Sequence, residues 1–158
     1  MRGSFSEFFV SRGTPFFFLL LTLPALFSCR GTQARAVRGE LARGDDQLLH
    51  RDYRGAIQTF KAALAASDDR SLRLTAELGI GHAYLRLGHP TEALKHLRKA
   101  KKLQPTTSTP VVLERDFGEA YFALTDYPRA SQRLEAVLRR RDSAERSKVE
   151  LLAAICAY

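Results

Sequence analysis

The feature that most constrains the fold of this chain is a repeat with a period of 37 residues. Small and large apolar residues return in the same order, and an Ala-Tyr pair returns once more at the end of the chain. A period of this length is typical of proteins in which one supersecondary unit stacks on the next. The repeat therefore predicts a solenoid of stacked units. The positions related by 37 residues are Ala56, Ala93 and Ala130; Phe60, Leu97 and Leu134; Ala63, Ala100 and Val137; Gly81 and Gly118; Tyr84, Tyr121 and Tyr158.

Each unit has the local features of a helical hairpin. Asp52 and Asp126 stand where the second helix needs an N-cap, and Pro90 and Pro128 fall in its first turn, where a missing N–H costs nothing. Gly88 breaks the chain between the two helices of the middle unit. Apolar residues recur at intervals of three and four, as in a helix with one buried face. The sequence thus predicts an all-α fold.

The middle unit resembles the tetratricopeptide repeat. Residues 81–88, Ala93, Leu97, Ala100 and Pro105 match the family pattern at almost every position except its tryptophan. The third unit keeps most of the pattern and the first unit keeps less of it, and the family period of about 34 residues is here extended. The resemblance implies a TPR-like α-solenoid of helical hairpins with a C-terminal capping helix. The predicted boundaries are 36–158 for the domain, with repeats at 37–70, 74–107 and 111–142 and a terminal helix at 143–158.

The C-terminal segment allows two interpretations. Asp142, Ser143, Ala144 and Glu145 have the form of a capping box, and apolar residues follow at helical spacing. The predicted helix is either the cap that covers the last apolar face of a solenoid or the first half of a hairpin in a longer array.

The first 28 residues have a different composition from the remainder. Basic residues precede an apolar run of twelve at 16–27, and a bilayer-spanning helix needs about 20. Leu26, Phe27, Ser28 and Cys29 resemble the bacterial lipobox. We predict a lipoprotein-type signal peptide at 1–28, a lipidated Cys29 that anchors the chain in a membrane, and a short linker at 29–35. The alternative is an ordinary Cys29 beside a conventional cleavage site or in an uncleaved leader.

The motifs of common enzymes are absent from the sequence. It contains no Gly-rich phosphate loop, no His-Glu-x-x-His and no Cys-x-x-Cys. His82, His89 and His96 are seven residues apart, about 10.5 Å along a helix, which is too far for one ion. Cys156, with apolar neighbours, is expected to be a small buried group. We therefore expect no enzymatic activity, no cofactor and no metal.

The family resemblance also implies a binding surface. Its members bind peptides in a concave groove lined by the first helix of each repeat, so we expect a protein or peptide partner there. The alternative is that each of these side chains belongs to an ordinary solvated helix face. The set also lacks the Lys/Asn pattern by which some family members bind a C-terminal carboxylate. The residues at the groove positions are Asp45, Leu49, His82, Arg86, Arg115, Glu119 and Phe122.

The sequence is basic, with a net charge of +8. Two basic groups end second helices, where cations complement the helix dipole or attract an anionic membrane surface or a polyanion. They are Lys99, Lys101 and Lys102, and the run 139–141. We predict a membrane-tethered scaffold on the periplasmic face of a bacterial envelope, serving assembly, pilus or transport systems. Arg30 after the cysteine favours the outer membrane, and export disfavours nucleic acid. The alternatives are an accessory subunit or fragment of an envelope enzyme and a cytoplasmic TPR scaffold.

Overall fold

The computed structural model describes residues 23–105, 110–139 and 146–156, with side chains from residue 31 onward except at 146 and 147. Two compact units divide at residue 32, and the second contains the repeats. The described residues form seven α-helices and no strand, which confirms the all-α prediction. The helices are α1 (Leu23–Leu49), α2 (Tyr53–Ala66), α3 (Arg70–Arg86), α4 (Pro90–Leu103), α5 (Val111–Ala123), α6 (Tyr127–Leu138) and α7 (Arg146–Cys156).

The turn inside each hairpin has the same backbone conformation. A residue with positive φ follows each first helix: Arg51 at 61°, Gly88 at 75° and Thr125 at 59°. These three positions are 37 residues apart. The N–H of His89 donates to the carbonyl of Tyr84 at 2.9 Å, and the same bond closes the other two turns. This is the Schellman arrangement, in which a left-handed residue ends a helix and reverses the chain.

The second helices begin at the predicted caps. The Asp52 carboxylate accepts a hydrogen bond from the N–H of Gly55 at 3.0 Å. The Asp126 carboxylate accepts one from the N–H of Arg129 at 3.3 Å. Pro90 is the first residue of α4. Side-chain caps and first-turn prolines therefore fix where the chain re-enters a helix after the turn.

The two helices of a hairpin approach closely at glycines. A Cβ atom on Gly81 would lie 2.8 Å from Leu97 Cδ2, and one on Gly118 would lie 2.5 Å from Leu134 Cδ2. Both leucines are fully buried. Because non-bonded carbons prefer about 3.5–4.0 Å, a side chain at either glycine would push the helices apart.

The hairpins stack in chain order. α2 packs against α3, α4 against α5, and α6 against α7, so each second helix is covered by the next first helix. The core runs through the stack, with fully buried side chains such as Phe60, Phe117 and Leu134 in successive layers. This arrangement confirms the predicted solenoid of helical hairpins.

The boundaries differ from those predicted at two places. α3 begins at Arg70 and not at 74, because the Asp69 side chain accepts hydrogen bonds from the N–H groups of Ser71 and Leu72. Residues 29–35, predicted as a linker, continue α1 as a helix. Residues 1–22 of the predicted signal peptide at 1–28, the predicted capping box at 142–145 and the last two residues lie outside the described residues.

Candidate protein-binding groove

The first helices of the repeats lie side by side. We call α1 from Gln33 onward, α3, α5 and α7 the first helices, and α2, α4 and α6 the second helices. α3 contacts α5 and α5 contacts α7, whereas α4 and α6, both described in full, make no such contact. A stack is concave on the side where its helices lie closer together. The first helices therefore line the concave side of this part of the repeat unit.

His82 and Arg115, two of the predicted groove residues, share one buried carboxylate. His82 Nδ1 lies 3.3 Å from Asp116 Oδ2, and Arg115 Nη2 lies 2.9 Å from Asp116 Oδ1. Asp116 itself is 0% exposed. A carboxylate buried to this extent is stable only when cations and hydrogen-bond donors surround it. Asp116 was not predicted, and it joins α5 to α3.

Arg86 and Glu119 form a second set of contacts on the same helices. Arg86 Nη1 lies 3.6 Å from one oxygen of Glu119, and Lys148 Nζ lies 2.8 Å from the other. Glu119 therefore connects α3 with α7 across α5. Arg86 Nε also donates to His82 Nε2 at 3.4 Å, which joins the two sets of contacts. We call the six residues of the two sets the charge network; they are His82, Arg86, Arg115, Asp116, Glu119 and Lys148.

The charge network fixes the form of the groove wall. His82 offers Nδ1 to Asp116 and accepts at Nε2 from Arg86, an assignment that corresponds to the tautomer with its proton on Nδ1. Most charges of the network are satisfied by one another. A ligand would therefore meet a surface that is already ordered.

The other three predicted groove residues lie outside the charge network. Leu49 is 81% exposed near the end of α1. Asp45 is also exposed, yet partial burial raises the pKa of its carboxyl group above the ordinary value. Phe122 is half-buried, and its ring centroid lies 5.8 Å from that of Tyr127. The structure thus brings together four of the seven predicted residues and leaves Asp45, Leu49 and Phe122 apart from them.

A polar pair joins the two helices of each hairpin. In the second and third hairpins, a buried glutamate of the first helix meets a basic group of the second helix. The pair of the first hairpin is uncharged and consists of a threonine hydroxyl that donates to the amide oxygen of a glutamine. Sequence reasoning missed these pairs, although the glutamate and its partner position both recur after 37 residues. The pairs are Gln47 and Thr59 at 2.7 Å, Glu77 and His96 at 2.6 Å, and Glu114 and Arg133 at 3.0 Å.

The candidate metal ligands do not converge. Within the described residues, no group of three His, Cys, Asp or Glu side chains could hold an ion. His82 and His96 contact different carboxylates on different helices. Cys156 is partly buried against the core, and this burial raises the pKa of its thiol. At neutral pH a raised pKa leaves less of the reactive thiolate.

Residues 41–107 match the sequence model of the tetratricopeptide repeat. This match covers less than half of the chain. Its fold is similar to that of the Hsp90 co-chaperone Cns1 (delta69) from Saccharomyces cerevisiae, with a TM-score of 0.66 and 15% sequence identity. That match covers 79% of this chain and 39% of the yeast chain, so this chain spans less than half of the yeast protein. No curated protein matches this chain.

The fold likeness confirms the predicted TPR-like α-solenoid, and the family resemblance is supported at residues 41–107. In the part of the chain that the structure describes, no helix has the length and apolar character needed to cross a membrane. The side chain of Cys29, the predicted lipidation site, lies outside the described residues.

Proposed function

We propose that this protein is a non-enzymatic scaffold that binds a segment of a partner protein in the groove of its first helices. The charge network carries the proposal, because it holds α3, α5 and α7 in one fixed arrangement before any ligand arrives. Binding to a preorganised surface orders the partner segment and spares the receptor that cost.

The chemistry of the groove indicates the kind of segment it would bind. Arg86 is 32% exposed at the edge of the charge network, while Leu78 and Leu85 on α3 are half-buried. Such a surface fits a segment with apolar side chains for the half-buried leucines and polar groups that hydrogen-bond to the rim. Because the charges of the charge network largely compensate one another, shape and apolar contact would determine the affinity for a segment more than net charge.

Photo-cross-linking in cells tests the groove. A photoreactive amino acid in place of Arg86 should form an adduct with a partner protein, whereas the same amino acid in place of Lys61, exposed on α2, should not. Adducts from position 61 and none from position 86 would place the interface on the second helices. Arg115→Glu is unsuitable for this purpose, because it would set a second carboxylate against the buried Asp116.

We further propose that lipid on Cys29 tethers the scaffold to a bacterial membrane, on the periplasmic face and in the outer membrane. The support is the leader sequence, with its basic start, twelve-residue apolar run and lipobox-like end. Metabolic labelling with palmitate should mark the wild-type chain and not Cys29→Ser. Unlabelled wild-type protein in the soluble fraction would contradict the tether and favour a cytoplasmic scaffold.

A further inference from the structure

The net positive charge of the repeats is concentrated on the second helices. α2, α4 and α6 contain nine Lys or Arg residues and two Glu residues, a net charge of 9 − 2 = +7. The first helices at 33–49, 70–86, 111–123 and 146–156 contain nine Lys or Arg and eight Asp or Glu, a net charge of 9 − 8 = +1. The two sides of the solenoid therefore differ in electrostatic potential, and the convex side is the positive one.

The charge is densest on α4. Lys95, Arg98, Lys99 and Lys102 are all exposed, and their spacing of three, four and seven residues places them on one helix face, about 10 Å long. Lys95 forms an ion pair with Glu92 at 2.6 Å. The other three form no ion pair with any described residue. We call these four residues the basic stripe.

The basic stripe is not a consequence of the repeat. The positions 37 residues before it hold Gln58, Lys61, Ala62 and Ala65, and those 37 residues after it hold Gln132, Glu135, Ala136 and Arg139. Complementing the helix dipole explains cations only in the last turn of α4. Lys95 and Arg98 lie before that turn. Neither the repeat nor the helix dipole therefore accounts for the basic stripe, in which three of the four cations form no ion pair with a described residue.

We propose that the outer face of α4 docks on a membrane surface rich in anionic phospholipids. Cations near such a surface bind it through charge alone and need no apolar anchor. Among the described residues of the second helices, Tyr127 at the start of α6 is the single exposed large apolar side chain. Stable protein interfaces need a cluster of buried aromatic or aliphatic anchors, and single-stranded nucleic acids need aromatic stacking platforms. Neither is present on α4.

Membrane docking would orient the scaffold. With the second helices toward the lipid headgroups, the groove of the first helices would face away from the membrane and stay open to a partner. The inference rests on the proposed membrane tether only for its location in the cell, because the basic stripe would bind anionic lipid with or without acylation of Cys29.

Vesicle binding of the full chain tests the inference. Unlipidated Cys29→Ser protein is mixed at about 0.1 M salt with phosphatidylcholine vesicles that contain or lack phosphatidylglycerol. Binding by the leader, which carries Arg2 and Arg12, is common to all the variants compared. Phosphatidylglycerol should raise the partition coefficient, by about five-fold for each cation at the surface. The double variant Lys99→Gln, Lys102→Gln should reduce this gain by about 25-fold. Added salt should also reduce the phosphatidylglycerol-dependent gain of the wild-type chain.

The matched control is the double variant Arg38→Gln, Arg43→Gln on α1. Both arginine side chains are exposed, and the double variant lowers the net charge by the same amount as the one on α4. It should change the phosphatidylglycerol-dependent gain by less than about two-fold, because exposed charges farther than about 10 Å away are screened. An equal effect of the two double variants would overturn the inference, as would the absence of any gain. Tighter, lysine-dependent binding to duplex DNA would also overturn it. The palmitate experiment on Cys29 does not depend on this result, so the two proposals fail separately.

Discussion

The contact between Gly118 and Leu134 gives the sharpest test of how the hairpins pack. In Gly118→Ala, the new Cβ would lie 2.5 Å from Leu134 Cδ2 and 2.7 Å from Leu134 Cγ. Both distances are about 1 Å shorter than carbons prefer, and Leu134 is fully buried. Overpacking of this kind costs up to about 3 kcal/mol. The better helix propensity of alanine returns about 1 kcal/mol, so we expect a net loss of about 2 kcal/mol.

Urea denaturation followed by circular dichroism measures this loss. Gly39→Ala on α1 is the control, because its Cβ would meet no atom within 4 Å. It should stabilise the protein by about 1 kcal/mol through helix propensity alone. Leu134→Ala normally costs about 3 kcal/mol, but in the Gly118→Ala background it should cost only about 1 kcal/mol, because it removes the clash. If Gly118→Ala were as stabilising as Gly39→Ala, the close approach of α5 and α6 would be wrong.

Two further predictions concern the turn and the groove. Thr125→Gly should stabilise the protein by about 0.5–1 kcal/mol, and Gly88→Thr should destabilise it by a similar amount. The reason is that a left-handed backbone costs a non-glycine residue about 1–2 kcal/mol. Melting temperatures equal to that of the wild type would contradict this prediction. Asp45 has a raised pKa in the folded state, so its carboxyl lowers stability as pH rises through its titration. Asp45→Asn should therefore be more stable than wild type at pH 7, and the difference should vanish in acid, where a persistent difference would exclude ionisation as its cause.

The hairpin architecture could be predicted because its determinants are local. Asp52, Asp126 and Pro90 each act on the backbone within one helical turn, so their positions in the sequence indicate where a helix starts. The left-handed turn residues Arg51 and Thr125 could not be predicted from residue type. Their conformation is imposed by the Schellman hydrogen bonds and not by the residues themselves.

The groove was predicted in position but not in its contacts. Asp116 and Lys148 were missed because they pair with residues of neighbouring repeats, and those pairs do not follow the 37-residue interval. They depend on how far one first helix is shifted along the next, which the sequence pattern does not specify. The Glu77 and Glu114 pairs do follow the interval, so a search for charged residues that recur with the repeat would have found them.

The polar pairs inside the hairpins distinguish the first hairpin from the second and third, because only the latter two pair a glutamate with a basic group. If α2 took the place of α4 beside α3, Thr59 would lie opposite Glu77. The buried Glu77 carboxylate would then have no basic partner. Such an exchange costs several kcal/mol, whereas the alanines, leucines and glycines of the repeats are nearly interchangeable. Similar helices in one chain can pair wrongly during folding, and these few atoms discriminate against the wrong partner. Sequence similarity between the repeats is thus compatible with the exclusion of α2 from the place of α4.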